Sequence, residues 1–556
     1  MIIRNETEKK LLFTNGNIYT CDPQYPRCQA MAVHNDRIFA LGDTADIRGL
    51  LKDGYDEIDL QNKTVLPGFI DTHCHAMSFG MNLGAWVGVH DAETIEDIKE
   101  RVKARVQHLK KGEWIKGRGW CRGVFHDRMP TRGDIDEVAP DNPVVLIDST
   151  GHIAIVNSKV LEMAGVDRTT EFSGGGKIDR DPETGEPNGI LREMALYNLA
   201  WMKGPHPSEE DLVEAARQIC EKAASVGITS LSLIMIPFPS EDEGRMGYSP
   251  SELKPFVTLR RNNELSVRVR YMMQAYRNWN AGDHTFLDHL IGLGLSSGFG
   301  DDKLEIGGIK IIDDGSIMAN TAAMREPYAT EPDMMGVLHF DQEQLNAMIL
   351  KANENDFQVE THAHGDRAVD ITLNAFEHAM NANPGKSLRN ILTHARILHD
   401  EQIERIKKLG LVVNGVPGVN GWLPTRLAVE AENVGPQRAQ LLSRLRTLID
   451  HGVTVAGGSD CHPCHPYGPL HFIYRAVNSG NFSYEDPLTL DEAISLWTTN
   501  AAYVSWAEEK KGSLSCGKLA DFVILSDDIH RVKLADIDKI EVEKTFVGGE
   551  VVWERE

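Results

Sequence analysis

No stretch of this 556-residue chain approaches the roughly 18 consecutive apolar residues that a membrane-spanning helix needs. Its first residues, MIIRNETEKKLLFTNGNIYT, hold no apolar core followed by a small-residue cleavage site. These two absences lead to the expectation of a soluble cytoplasmic protein with no membrane partner. Basic residues are in deficit, 58 Lys+Arg against 82 Asp+Glu, and the formal net charge of -24 argues against nucleic acid or an anionic lipid surface as a partner. Cysteine is sparse. Eight scattered through the chain give neither a disulfide framework nor zinc-finger spacing, so reduced thiols are expected. Cys461-His-Pro-Cys464-His465 does match the C-x-x-C-H haem-attachment pattern, but it directly follows Asp460 and lacks an export signal, so it reads as a stray metal site or part of a pocket rim.

What is present is length enough for two or three domains with a large core. Residues 11–60 alternate short apolar runs with Asn-Gly and Asn-Asp turns, the pattern of a small antiparallel sheet, and residues 512–553 repeat the style. Because chain ends often lie close together, the two fragments are expected to build one β-sandwich, residues 1–66 with 510–556. Between them, apolar runs alternate with helical patterns. The runs are Phe69–Thr72, Ile228–Leu233, Val267–Met272, Ile306–Ile312, Phe357–Glu360, Ile391–Thr393, Val412–Asn414 and Val453–Ala456. Eight strand-helix units indicate an α/β fold, a (β/α)8 TIM-like barrel over residues 67–77 and 206–509. The gap after Ala76 is too long for one connection, so residues 78–205 are expected to form an inserted subdomain over the barrel.

A barrel of this kind carries its chemistry just past the C-terminal ends of its strands. Ligand-type residues recur at five of those ends: His73 and His75 at the first, Lys310 on the fourth, His362 and His364 at the fifth, His394 at the sixth and Asp460 at the eighth. In an extended strand, residues i and i+2 share a face, so His73-x-His75 can offer two imidazoles to one metal ion. Lys310 lies among Ile309, Ile311 and Ile312, where a buried ammonium is costly. It either pairs with Asp313 or Asp314, or its neutral amine carries CO2 as a carbamate. Asp460 is the best candidate for catalysis, since a carboxylate there can hold a water, accept its proton and pass it to a leaving group.

The motifs PGFIDTHCH, GGIKIIDDGS, THAHGDRAVD, LTHARIL and AGGSD resemble the metal-dependent amidohydrolase superfamily. With GEWIKGRGW, STGHIAIVNSKVL, NGILRE and GSLSCGKLADFVIL, they are similar to its branch of N-substituted formamide deformylases and related uncharacterised amidohydrolases. The resemblance implies the carbamate at Lys310, a ligand at His362 and a ligand at His394. One ion is then expected on His73, His75, Lys310 and Asp460, and another on Lys310, His362 and His394. Without the carbamate, His73, His75, His362 and Asp460 would serve a single ion. Imidazole and oxygen donors suit Zn, with Mn, Fe or Co as alternatives.

His364 stands where the family is often apolar, and either lines the pocket or is a simple substitution. His152 is implied as a substrate contact from the insertion, with a structural histidine as the alternative. Trp120 and Trp86 either supply apolar pocket wall or belong to a subdomain core, and Gly315-Ser316 offers a turn that substrate can approach. Cys121 matches poorly with the cysteine ligand of related D-aminoacylases, and Cys74 is expected in the barrel wall. The implied activity is hydrolysis of a carbon–nitrogen bond in a small amide-like molecule, an N-acyl or N-formyl amide, by a homodimer. Hydrolysis of a cyclic amide or ester, a lyase step on the same site, and a non-catalytic binding protein are the alternatives.

Overall fold

Eight buried segments pair side by side, in chain order and all parallel: β1 Phe69–Cys74, β2 Ile228–Ile234, β3 Arg268–Gln274, β4 Leu304–Ile312, β5 Val359–Ala363, β6 Ile391–His394, β7 Val412–Asn414 and β8 Val455–Ala456. The computed structural model describes residues 9–51, 54–121, 125, 128–172, 176–234, 252–274, 285–415, 426–460, 467–478 and 484–556. Strands covered on both faces read as continuous apolar runs, which is why all eight were visible as such. The sheet curls until its first and last strands meet. There the Thr72 amide and hydroxyl donate to the Gly457 carbonyl at 3.2 and 2.9 Å, and the Asn414 side-chain amide donates to the Thr72 carbonyl at 3.2 Å. The result is a nearly closed parallel barrel.

Helices cover the outside for local reasons. Ser208 caps the helix Glu209–Ser225 by accepting the Asp211 amide at 3.1 Å. Its apolar residues Leu212, Ala215, Ala216, Ile219, Ala223 and Ala224 recur at helical spacing and are buried. Neighbouring helix Ala76–Leu83 approaches so closely that a Cβ at Gly80 would sit 2.1 Å from the Ala215 carbonyl oxygen.

The chain ends share a sheet. One four-stranded sheet takes Arg37–Gly42, Ala30–His34, Lys10–Thr14 and Asp56–Asp59. A six-stranded sheet joins C-terminal strands Glu550–Glu554, Val542–Val547 and Phe522–Leu525 to N-terminal strands Thr64–Pro67, Asn17–Tyr19 and Arg27–Cys28. Between the two sheets the rings of Phe13, Phe522 and Phe546 pack with centroids 4.3 to 5.4 Å apart. The N-terminal fragment is not the purely antiparallel sheet its turns suggest. Lys10–Thr14 runs parallel to Asp56–Asp59, and Asn17–Tyr19 parallel to Thr64–Pro67, because the chain crosses between sheets rather than folding back in hairpins. Arg268 on β3 ties the sandwich to the barrel through a two-pronged ion pair with Asp521 at 2.6 and 2.8 Å.

The segment after β1 forms its own six-stranded mixed sheet, ordered Gly176–Arg180, Pro187–Glu193, Ile153–Val156, Val144–Asp148, Ile115–Trp120 and Val87–Gly88. Trp120 belongs to the core beneath that sheet, with Ile135, Val144 and Leu146, and its indole donates to the Leu146 carbonyl at 2.7 Å. It is not pocket wall, because a buried indole needs an acceptor and finds one inside the subdomain. Trp86 is likewise core, packed edge-on against Trp201 at 4.9 Å. Among the described residues, no helix is long and apolar enough to cross a membrane.

Candidate metal centre

At the C-terminal rim of the barrel, Asp460 Oδ1 lies 3.3 Å from His73 Nε2 and 3.2 Å from His75 Nε2. Strand alternation turns both imidazoles the same way, with their rings 5.5 Å apart. The turn after β8 brings the carboxylate to them. Gly458 passes so close that a Cβ there would stand 2.6 Å from that of His73, and Asp460 adopts a left-handed φ of 48°, held by its amide's 2.7 Å hydrogen bond to the His73 carbonyl.

A second group faces the first. His362, His364 and His394 are all buried, with ring centroids 4.4 to 4.8 Å apart, and His394 reaches within 5.3 Å of His73. Within each group, His73–His75–Asp460 and His362–His364–His394, the donor atoms lie within 4.8 Å of one another. Burial pushes the three imidazoles of the second group well below the usual histidine range, so they are neutral and keep a lone pair for a cation. Burial also pulls His75 down to about 4.

Behind the imidazoles sits a layer of carboxylates. Glu360, two residues before His362, meets His73 Nδ1 at 2.5 Å and accepts from Lys310 Nζ at 2.9 Å and Thr393 Oγ1 at 2.6 Å. Burial raises its pKa, yet the Lys310 and His73 charges outweigh that and hold it well below the carboxylate range. Glu360 thereby leaves His73 Nε2 facing Asp460, as carboxylates behind metal-binding histidines do. Lys310 therefore pairs with Glu360 and not with Asp313 or Asp314. Asp314 instead spends its oxygens on the amides of Ala323, His364 and Gly365, each at 2.9 Å. Burial raises its pKa to about 7.

The inserted subdomain closes the site from above. His152 Nδ1 lies 3.0 Å from both oxygens of Glu193, and its ring stands 5.8 Å from His362. Glu193 ends the strand Pro187–Glu193 with φ 50° and ψ -130°, a strained conformation for a residue with a Cβ. Arg118, Arg426, Tyr197, Ser316 and His339 line the same pocket. Burial raises the Tyr197 hydroxyl to about 12, so it stays protonated, and it donates to the Gly151 carbonyl at 2.9 Å.

Of the sequence-predicted residues, His73, His75, Asp460, His362, His364 and His394 converge, Lys310 lies just behind them, and His152 and Ser316 line the cavity. His364 is no simple outward substitution, since it joins the second imidazole group. Cys121 packs against Met318, outside both groups, and Cys74 is buried in the barrel. The Cys461–Cys464 cluster lies outside the described residues. Glu360, Glu193 and Arg118 went unrecognised in the sequence, where Asp314 stands only as a candidate partner of Lys310. Glu360 had a signal, for it shares a strand face with His362 by the same alternation.

Neutral imidazoles and a carboxylate, oriented from behind by further carboxylates, fit one or two divalent transition-metal ions. A parallel barrel with such groups gathered at its C-terminal rim has the architecture of a hydrolase. The chain belongs to the amidohydrolase family, whose model matches residues 56–553. It is 32% identical over 98% of its length to 91% of "Protein LONG AFTER FAR-RED 3" from Arabidopsis thaliana. It is 26% identical over 98% of its length to 99% of the N-substituted formamide deformylase of Arthrobacter pascens. A crystal structure described as an uncharacterized metal-dependent hydrolase from Pyrococcus furiosus superposes with TM-score 0.70 and 28% identity, covering 93% of this chain and 99% of that one.

Proposed function

We propose that the protein is a metal-dependent hydrolase that cleaves the carbon–nitrogen bond of a small N-formyl or N-acyl amide. The carrying observation is the approach of Asp460 Oδ1 to both His73 and His75, beside a second imidazole group in the same pocket. His73, His75 and Asp460 would hold one ion, and His362 and His394 the other, while Lys310 stays behind them as an ammonium paired with Glu360. A divalent ion bound there supplies Lewis acidity toward water and toward the substrate carbonyl. Zn fits the donor set best, with Mn, Fe or Co as alternatives.

The chain's own groups carry the protons. Asp460 accepts a proton from the attacking water and returns it to the departing nitrogen, so water's oxygen ends on the acyl carbon as the C–N bond breaks. Glu193 fixes the His152 ring by Nδ1, which turns its Nε2 edge toward bound substrate. The Arg118 guanidinium lines the wall and adds donors for a polar substrate group, while the Tyr197 hydroxyl beside it donates to the Gly151 carbonyl at 2.9 Å. The deformylase relative supports a formamide, and a formyl group needs no acyl pocket beside the crowded imidazoles.

The test is metal analysis of the purified chain, followed by turnover on a panel of N-formyl amides, N-acyl amides, cyclic amides and esters. Formamide or acylamide hydrolysis that disappears on chelation and returns with metal is the expected result. Bound metal without turnover on any member, and no functional loss in Asp460→Asn, would favour a binding protein.

A further inference from the structure

We propose that His364 is a direct ligand of the second metal ion, so that this half of the centre presents three imidazoles, His362, His364 and His394. The inference rests on the metal-dependent reading of the site and deepens it. His364 directly follows β5, where a side chain could have turned to solvent. Instead it is only 3% exposed, its ring stacked on His362 at 4.8 Å with 16° between planes and 4.4 Å from His394. Its Nδ1 is buried and has no hydrogen-bond partner among the described residues. A buried ring nitrogen left without a partner is unfavourable, and a shared cation supplies one.

The surroundings hold the ring in place. Asp314 grips the backbone on both sides, accepting the His364 amide on one oxygen and the Gly365 amide on the other, each at 2.9 Å. Gly365 in turn is pressed against the neighbouring chain, since a Cβ there would lie 2.0 Å from the Ala323 carbonyl oxygen. His362 is oriented as well. With its Nε2 hydrogen-bonded to the Gly315 carbonyl at 3.1 Å, its Nδ1 is left for the ion. The strand-end spacing His362-x-His364 thus repeats the His73-x-His75 device on the opposite side of the barrel. Three neutral imidazoles select Zn2+, Co2+ or Cu2+ over Mn2+ and Mg2+, which favour oxygen donors.

The test uses the full chain and Zn2+ as probe, with metal stoichiometry measured during titration with a competing chelator. The wild type should hold two ions, and His364→Ala should release one of them at chelator strengths at least ten-fold weaker while the other stays. A crystal structure of the zinc-loaded wild type, which needs no substitution, should place a His364 ring nitrogen about 2.1 Å from an ion. Retention of both ions by His364→Ala at wild-type affinity, with only KM altered, would make His364 a pocket wall and overturn the assignment. So would a zinc-loaded structure with the His364 nitrogens beyond ligand distance. A wild-type chain that takes up no ion would overturn this inference and the metal-dependent reading together, whereas the first two results leave that reading standing.

Discussion

Asp460 is bound to His73 twice, once through its amide, 2.7 Å from the His73 carbonyl, and once through its carboxylate, 3.3 Å from the His73 imidazole. The backbone bond fixes where the carboxylate can go, so base and ligand move as a unit. Asp460→Asn should therefore lower kcat by about 10²- to 10⁴-fold while KM changes little. Steady-state kinetics on the best panel substrate, with metal content measured in parallel, checks this.

Glu360 neutralises Lys310 and orients His73 at once. Glu360→Gln should weaken metal binding by about 10- to 100-fold and cost about 3–5 kcal/mol of stability, since it strands a buried ammonium. Replacing Lys310 by Met in the same chain should restore much of the stability but not the metal affinity. Denaturant unfolding and metal titration of the single and double variants separate the two roles.

Glu193 is expected to act only through His152. Glu193→Gln should reduce kcat about 10-fold or more, and the same change in a His152→Ala background should have almost no further effect. Additive losses in this cycle would give Glu193 an independent role.

The Arg268–Asp521 pair joins barrel and sandwich, and both side chains are buried. Burial raises the Asp521 pKa, but the Arg268 guanidinium outweighs it and the net shift is downward. A carboxylate depressed in the folded state contributes stability above its unfolded pKa of about 3.9, and that contribution fades as pH falls through the lower folded value. Asp521→Asn should cost about 3–5 kcal/mol at pH 7, and the gap from wild type should narrow toward pH 3. Urea unfolding at the two pH values tests the sign.

The parts of the centre that the sequence reveals are those governed by a local rule. Period-two alternation exposes His73 with His75 and His362 with His364, and continuous apolar runs expose the eight strands. β5 lies two residues later than its apolar run suggests, at Val359–Ala363, because strand pairing continues into the polar Thr361-His362 step. Other partners depend on distant approaches. Glu193 meets His152 only because the insertion's strands Pro187–Glu193 and Ile153–Val156 pair antiparallel, and Asp314 meets His364 across neighbouring barrel strands. Trp120 misleads for a physical reason. An aromatic residue beside a family motif reads equally as pocket wall or core, and only the Leu146 carbonyl decides.

The pairing of Thr64–Pro67 with Phe522–Leu525 also bears on the order in which the protein can be made. A nascent chain emits the inner edge of that sheet early and must leave it bare until almost the whole polypeptide has left the ribosome. Truncation shortly before Phe522 would thus release a chain whose barrel is fully encoded but whose strand Thr64–Pro67 stays unpaired on one side, a ready template for aggregation.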